Sequence, residues 1–133
     1  MTVPTHWYQM PNAPAPGTLL GNLQALDDGL PCMLAWPAAE HTATPLDKPF
    51  RYLLLRSGAD VKAYVNRCAH FGVPLAAQQE QLIFQPHQSL SCNVHYARYR
   101  WSDGMCVSGD CEGESLLAIP VVVDAQGDVR ITA

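Results

Sequence analysis

Apolar positions along this chain come in short runs and alternations, not in long helical stripes. Phe50-Arg51-Tyr52-Leu53-Leu54-Leu55-Arg56 and Val61-Lys62-Ala63-Tyr64-Val65-Asn66-Arg67 are rich in aliphatic, β-branched and aromatic residues. Between them lies Ser57-Gly58-Ala59-Asp60, a turn composition, so the pair predicts a β-hairpin. Three more hairpins follow by the same logic. Leu82-Ile83-Phe84 and Ser89-Leu90-Ser91 flank Gln85-Pro86-His87-Gln88; Tyr99-Arg100-Trp101 and Met105-Cys106-Val107 flank Ser102-Asp103-Gly104. Ile119 to Val123 and Val129 to Thr132 flank Ala125-Gln126-Gly127-Asp128. No convincing 3.6-residue apolar period appears, and the elements predict an all-β, antiparallel small sandwich or barrel. Residues 1–17 carry Pro4, Pro11, Pro14 and Pro16, which remove backbone donors and predict an extended arm.

Composition narrows the class. A chain of 133 residues, 48% apolar and 15% charged, suits one modest core and predicts a single domain over 1–133. The formal net charge of -4, with eight Lys and Arg that form no run, argues against nucleic acid as a partner. The first residues hold no basic segment followed by an apolar one, and no apolar run approaches the roughly 18 to 20 residues that span a bilayer. The expectation is a soluble cytoplasmic protein with no membrane partner. Five cysteines in such a chain read as ligands or thiols in preference to a disulfide framework.

The chemistry concentrates in Cys68, His70, Cys92 and His95: a C-x-H pair, twenty-one intervening residues, then C-x-x-H. Each half falls at the tip of a predicted hairpin, where two loops can face one metal site. A tetrahedral zinc accepts two Cys and two His, but its usual spacing keeps the cysteines in one half and the histidines in the other. Here each half is mixed. Mixed halves suit a binuclear iron cluster in which one iron takes both thiolates and the other both imidazoles.

The stretch 67-RCAHFGVPL-75 followed by 92-CNVH-95 resembles the Rieske iron-sulfur family. The segment 99-YRWSDGMCVSGDCEGESLLAIPVVV-123 is similar to the part of small Rieske ferredoxins where an Asp-Gly turn, a Gly-x-Cys-x-Gly stretch and a Leu-x-x-x-Pro strand complete the fold. The resemblance implies one [2Fe-2S] cluster per chain, bound within about 61–107, with Cys68 and Cys92 on the inner iron and His70 and His95 on the outer. It further implies that Gly72 and Pro74 shape the covering loop. Tyr99 stands where high-potential members place a tyrosine that donates to a cysteine sulfur; a half-buried strand aromatic is its plainer reading.

The chain also departs from the family. Gly72 or Val73, and Val94, stand where high-potential members carry an extra disulfide, and Ala97 replaces a serine that donates to a bridging sulfide. Both changes imply the lower part of the roughly -150 to +300 mV range of these centres. Tyr96 follows the second histidine where glycine is usual, and the interval between the halves is longer, with the extra length placed at Ala76 to Gln81.

What the resemblance implies functionally is a one-electron carrier between a reductase and a terminal oxidoreductase such as an oxygenase, with no catalytic site of its own. No histidine follows His95, so the mononuclear iron of Rieske oxygenases has no ligands here. The alternatives are a small Rieske subunit of a larger oxidoreductase and a zinc-stabilised β module. Cys106 and Cys111 read as two thiols before a redox pair, Cys32 as a semi-buried core residue, and His87 as a solvated turn histidine. His6 and His41 carry no pattern. Asp103, Asp110, Glu112 and Glu114 read as a solvated loop, with a docking patch for a basic partner as the alternative.

Overall fold

The computed structural model describes residues 6–10, 13–36, 50–67, 75–76, 78–92, 97–109 and 114–132. Among them run ten strands: β1 (Leu19–Asn22), β2 (Cys32–Trp36), β3 (Phe50–Ser57), β4 (Asp60–Val65), β5 (Ile83–Gln85), β6 (Ser89–Ser91), β7 (Arg98–Arg100), β8 (Cys106–Ser108), β9 (Val121–Val123) and β10 (Asp128–Ile131). They form three antiparallel sheets, ordered β1-β10-β9, β2-β3-β4 and β5-β6-β7-β8.

The β2-β3-β4 sheet is the middle layer, and its strands show why. Successive side chains of a strand point to opposite faces. In β3, Phe50, Tyr52 and Leu54 enter one core with Leu20 of β1 and Val129 and Ile131 of β10. Leu53 and Leu55 enter the other, with Leu90 of β6, Tyr99 of β7 and Cys106 of β8. β4 does the same, with Val61, Ala63 and Val65 on the first side and Tyr64 on the second. A strand covered on both faces loses the apolar-polar alternation, which is why Leu53-Leu54-Leu55 reads as an unbroken apolar run. Two buried tyrosine hydroxyls tie the layers: Tyr52 Oη donates to the Leu20 carbonyl (2.7 Å) and Tyr64 Oη to the Trp101 carbonyl (2.8 Å). Burial pushes the Tyr52 hydroxyl up to about 12, with the nearby Cys32 thiol adding to the shift.

All four predicted hairpins form, with shifted ends. The β3-β4 connection tightens to Gly58-Ala59, Gly58 adopting φ +62° at the first turn position, where a side chain is strained. Gln85 pairs with Ser89, leaving a three-residue Pro86-His87-Gln88 turn, with His87 itself at φ +61°. Trp101 lies in the β7-β8 turn and not in a strand, and β9 begins at Val121. β1 and β2 were not foreseen. β1 carries a bulge between Leu19 and Gly21, and every residue of β2 is half-buried, so neither shows a two-residue period. Among the described residues of the Pro-rich arm, a 3-10 turn at Trp7–Gln9 seats Trp7 in the core shared with β1 and β10, and Pro16-Gly17 turn the chain into β1.

Two connections bind the layers together. Segment 114–119 first bonds to the β7-β8 hairpin, Cys106 N–H donating to the Glu114 carbonyl and Leu116 N–H to the Gly104 carbonyl. It then lies along β4, where Val65 N–H donates to the Leu117 carbonyl and Ile119 N–H to the Ala63 carbonyl. Ahead of β5 lies a 3-10 turn at Gln79–Gln81. From it the Gln79 side chain donates to the Pro31 carbonyl and accepts from Met33 N–H, both at 2.7 Å, occupying part of the open edge of β2.

Candidate metal centre

Two chain segments carry the candidate ligands, and the described residues that flank each are hydrogen-bonded to one another. The first, 67–74, departs after β4. Asn66, 5% exposed, is bonded through its own N–H to the Arg51 carbonyl on β3 (3.0 Å). Its side chain spans the gap: Leu75 N–H donates to Asn66 Oδ1 (2.9 Å), and Asn66 Nδ2 donates to the Ala76 carbonyl at 3.5 Å. The second, 93–96, joins β6 to β7, and the Cys92 N–H donates to the Ala97 carbonyl across its base (2.8 Å). Leu75 and Ala76, which follow the first segment, and Cys92 and Ala97, which flank the second, all belong to one buried apolar cluster. Gly109, at φ +103°, lets the chain beyond β8 approach this patch, since a Cβ there would sit 3.0 Å from Ala97 Cα.

Of the residues singled out in the sequence, Cys92 is fully buried and is not in a disulfide. Tyr99 is also fully buried, opposite Leu90 on β6 and Cys106 on β8, deeper than the half-buried reading allowed. Cys68, His70, Gly72, Pro74 and His95 lie outside the described residues, as do Val73, Val94, Tyr96 and His41. Two expectations change. Segment 93–96 does cap a hairpin, but segment 68–74 connects β4 to β5, which sit in different sheets, so only one half lies at a hairpin tip. Cys106 is buried and disulfide-bonded, not a thiol; Cys111 lies outside the described residues. Asp103 is an exposed acid, as the solvated-loop reading has it, and Arg100 pairs with it at the surface through Nε and Nη2 at 2.9 and 2.6 Å. That hydrogen bond, helped by Met105 N–H, holds the Asp103 carboxyl down at about 2.

The remaining candidates are peripheral. Cys32 is half-buried as expected, its thiol pushed up by burial and then by the charge of Asp27. His87 occupies its turn at the opposite end of β6 from Cys92, with Ser57 Oγ 2.9 Å from Nδ1 and Asp28 Oδ2 3.7 Å from Nε2. His6 is exposed and stacks on Tyr8. The residues that the sequence reading passed over are Asn66 and Gly109. Asn66 ends an apolar strand immediately before Arg67-Cys68, a position that marks a buried polar side chain at a loop entrance.

A family model for the Rieske [2Fe-2S] domain matches residues 36–124, which is 89 of the 133 residues. The chain belongs to the Rieske family. Solved structures agree with that fold. The ferredoxin of carbazole 1,9a-dioxygenase from Nocardioides aromaticivorans IC177 superimposes with a TM-score of 0.63 at 19% identity, over 90% of this chain and 100% of that one. A chain from the complex of reduced oxygenase and oxidised ferredoxin in carbazole 1,9a-dioxygenase matches at 0.60 and 16% identity, over 84% of this chain and 97% of that one. The terminal oxygenase of carbazole 1,9a-dioxygenase from Novosphingobium sp. KA1 matches at 0.62 and 21% identity; 90% of this chain is covered, spanning 29% of the oxygenase chain. At these identities the likeness establishes the fold. No curated protein matches the chain by sequence.

A Rieske domain holds one [2Fe-2S] cluster, which makes this an electron-transfer domain. The residues on hand fit that group. A fully buried cysteine outside any disulfide stands at the base of one segment, and Leu75 and Ala76, which follow the other segment, share its buried cluster. The two segments between them carry two Cys and two His, the mixed donor set of a Rieske centre. Among the described residues, no group of three or more His, Cys, Asp or Glu side chains gathers elsewhere, and no helix is long and apolar enough to cross a membrane.

Proposed function

We propose that this Rieske domain is a ferredoxin, a one-electron carrier that docks first on a reductase and then on a terminal oxygenase. The observation that carries the reading is that Leu75 and Ala76, at the end of one segment, share a buried cluster with Cys92 and Ala97, which flank the other. Cys68 and Cys92 hold the inner iron as thiolates, and His70 and His95 hold the outer iron through neutral imidazole nitrogens. When bound, the cluster supplies one reversible electron. With the cluster bound, the second nitrogens of His70 and His95 would be the atoms that take up a proton with the electron. Gly72 and Pro74 shape the first loop, and Tyr99 supports the cluster from β7. The match to a whole ferredoxin chain supports the carrier reading, since 100% of that ferredoxin is spanned by this one domain.

Electron paramagnetic resonance of the dithionite-reduced protein, with iron, sulfide and zinc quantified on the same sample, tests the proposal. A rhombic signal of mixed thiolate-imidazole ligation with two irons per chain is expected. In the same assay Cys92→Ser should lose most of the cluster, while His95→Cys should keep part of its iron at a lowered potential. A colourless, silent protein containing one zinc would replace the carrier with a zinc-stabilised module. A second reading, a Rieske unit within a larger oxidoreductase, draws on the match to 29% of an oxygenase chain. It requires a partner chain that stays bound through purification.

A further inference from the structure

We propose that Asn66 is a positioning residue for the cluster, closing the loop that carries Cys68 and His70. The inference rests on the reading of those two residues as ligands. The two segments achieve the same closure by different means. Segment 93–96 is sealed by a main-chain hydrogen bond between Cys92 and Ala97. No comparable main-chain bond joins Asn66 to Leu75 or Ala76; the Asn66 side chain takes that place.

The chemistry of the site calls for a short side chain that accepts from the Leu75 N–H. That bond, at 2.9 Å, carries the closure, while the donation to the Ala76 carbonyl at 3.5 Å lies at the limit of hydrogen-bond length. Asn66 is anchored on two sides as well. Its N–H is held by the Arg51 carbonyl, and the residue after it, Arg67, turns its N–H back to the Val65 carbonyl (2.9 Å). One residue separates this anchor from Cys68, so little slack remains between the fixed amide and the thiolate. Leu75 and Ala76, at 0% and 1% exposure, are equally fixed at the other end. A buried polar side chain bonded at both ends holds its geometry because release would strand groups away from water.

Two variants and two controls separate loop closure from simple stability. Asn66→Leu keeps the volume and removes both side-chain bonds. It should lose its visible absorbance to a chelator roughly tenfold faster than wild type, as outer-sphere changes at metal sites do. Its reduced paramagnetic lines should broaden, and exchange of the Leu75 amide with deuterium should accelerate. Asn66→Asp keeps the acceptor for Leu75 N–H and adds a negative charge. It should retain wild-type chelator resistance and line width while its reduction potential falls, and it alone decides the matter if Asn66→Leu yields no folded protein. Val65→Ala, in the opposite core, should lower thermal stability without moving chelator half-life or line width.

The proposal is overturned if folded Asn66→Leu matches wild type in half-life and line width. It is equally overturned if Asn66→Asp loses its cluster tenfold faster, or if Val65→Ala reproduces the Asn66→Leu changes. The ligand reading fails separately: a Cys68→Ser protein with a full wild-type spectrum overturns that reading, whatever the Asn66 variants do.

Discussion

At the scale of single residues, the positions that shape this protein divide by how far their partners lie along the chain. The four candidate ligands stand within three residues of one another in two pairs, so their chemistry was legible as spacing alone. Asn66 and Gly109 were not legible, because what they do depends on Leu75, Ala76 and Ala97, whose approach only the folded chain brings about. Gly109 makes the point testable. A methyl group there would meet Ala97 Cα at 3.0 Å, from a backbone conformation at φ +103° that side chains rarely adopt. Gly109→Ala should therefore destabilise the fold by about 1–3 kcal/mol in thermal or urea unfolding. Because Ala97 forms the base of segment 93–96, the variant should also load less iron per chain than wild type. Cys106 shows the opposite limit of sequence reading: an odd cysteine count argued for thiols, yet Cys106 is disulfide-bonded.

Among the elements, hairpins were read correctly wherever a turn composition separated two apolar runs, and strands were missed where no period existed. β2 is the instructive case. It is a side strand whose five residues are all half-buried, and part of its open edge is filled by the Gln79 side chain, forty-six residues away from Met33. Neither fact leaves a mark on the local pattern. The β7-β8 turn is better specified locally, since Arg100 and Asp103 close it three residues apart and Asp103 also accepts from Met105 N–H. The Asp103 carboxyl sits at about 2 in the folded protein, below the roughly 3.9 of an unfolded chain. A depressed carboxylate stabilises the fold above its unfolded value and stops doing so as pH falls through its folded one. Stability should thus decline between about pH 4 and pH 2 through this group. Asp103→Asn should flatten that part of the profile in urea titrations. The difference should be small and should shrink in high salt, because both partners are about half exposed.

For the whole molecule, the prediction of an all-β antiparallel domain held, while the division into three sheets around a shared middle layer was beyond local pattern. What showed in the sequence was only its trace, the consecutive leucines of β3. A sheet that supplies both cores links their fates. Leu54 is fully buried on the side of β1 and β10, away from Cys92. Leu54→Ala should nevertheless cost about 2–5 kcal/mol, and circular dichroism and cluster absorbance should be lost in a single coincident transition on heating. Two separate transitions, with the cluster outlasting the distant core, would contradict a shared middle layer.

The two-faced character of β3 also bears on how the length of such a chain can drift over generations. Deleting or inserting one residue within Phe50–Ser57 would exchange the two sets of side chains, sending Tyr52 and Leu54 toward the cluster side and Leu53 and Leu55 away from it. A single-codon change in that strand would therefore disrupt both cores at once, whereas residues can be gained or lost where the chain passes between layers. The 3-10 turn at Gln79–Gln81 sits in such a passage, where Gln79 covers part of β2. Lineages descended from this protein should vary in length at the joins and keep the eight residues of β3 uninterrupted.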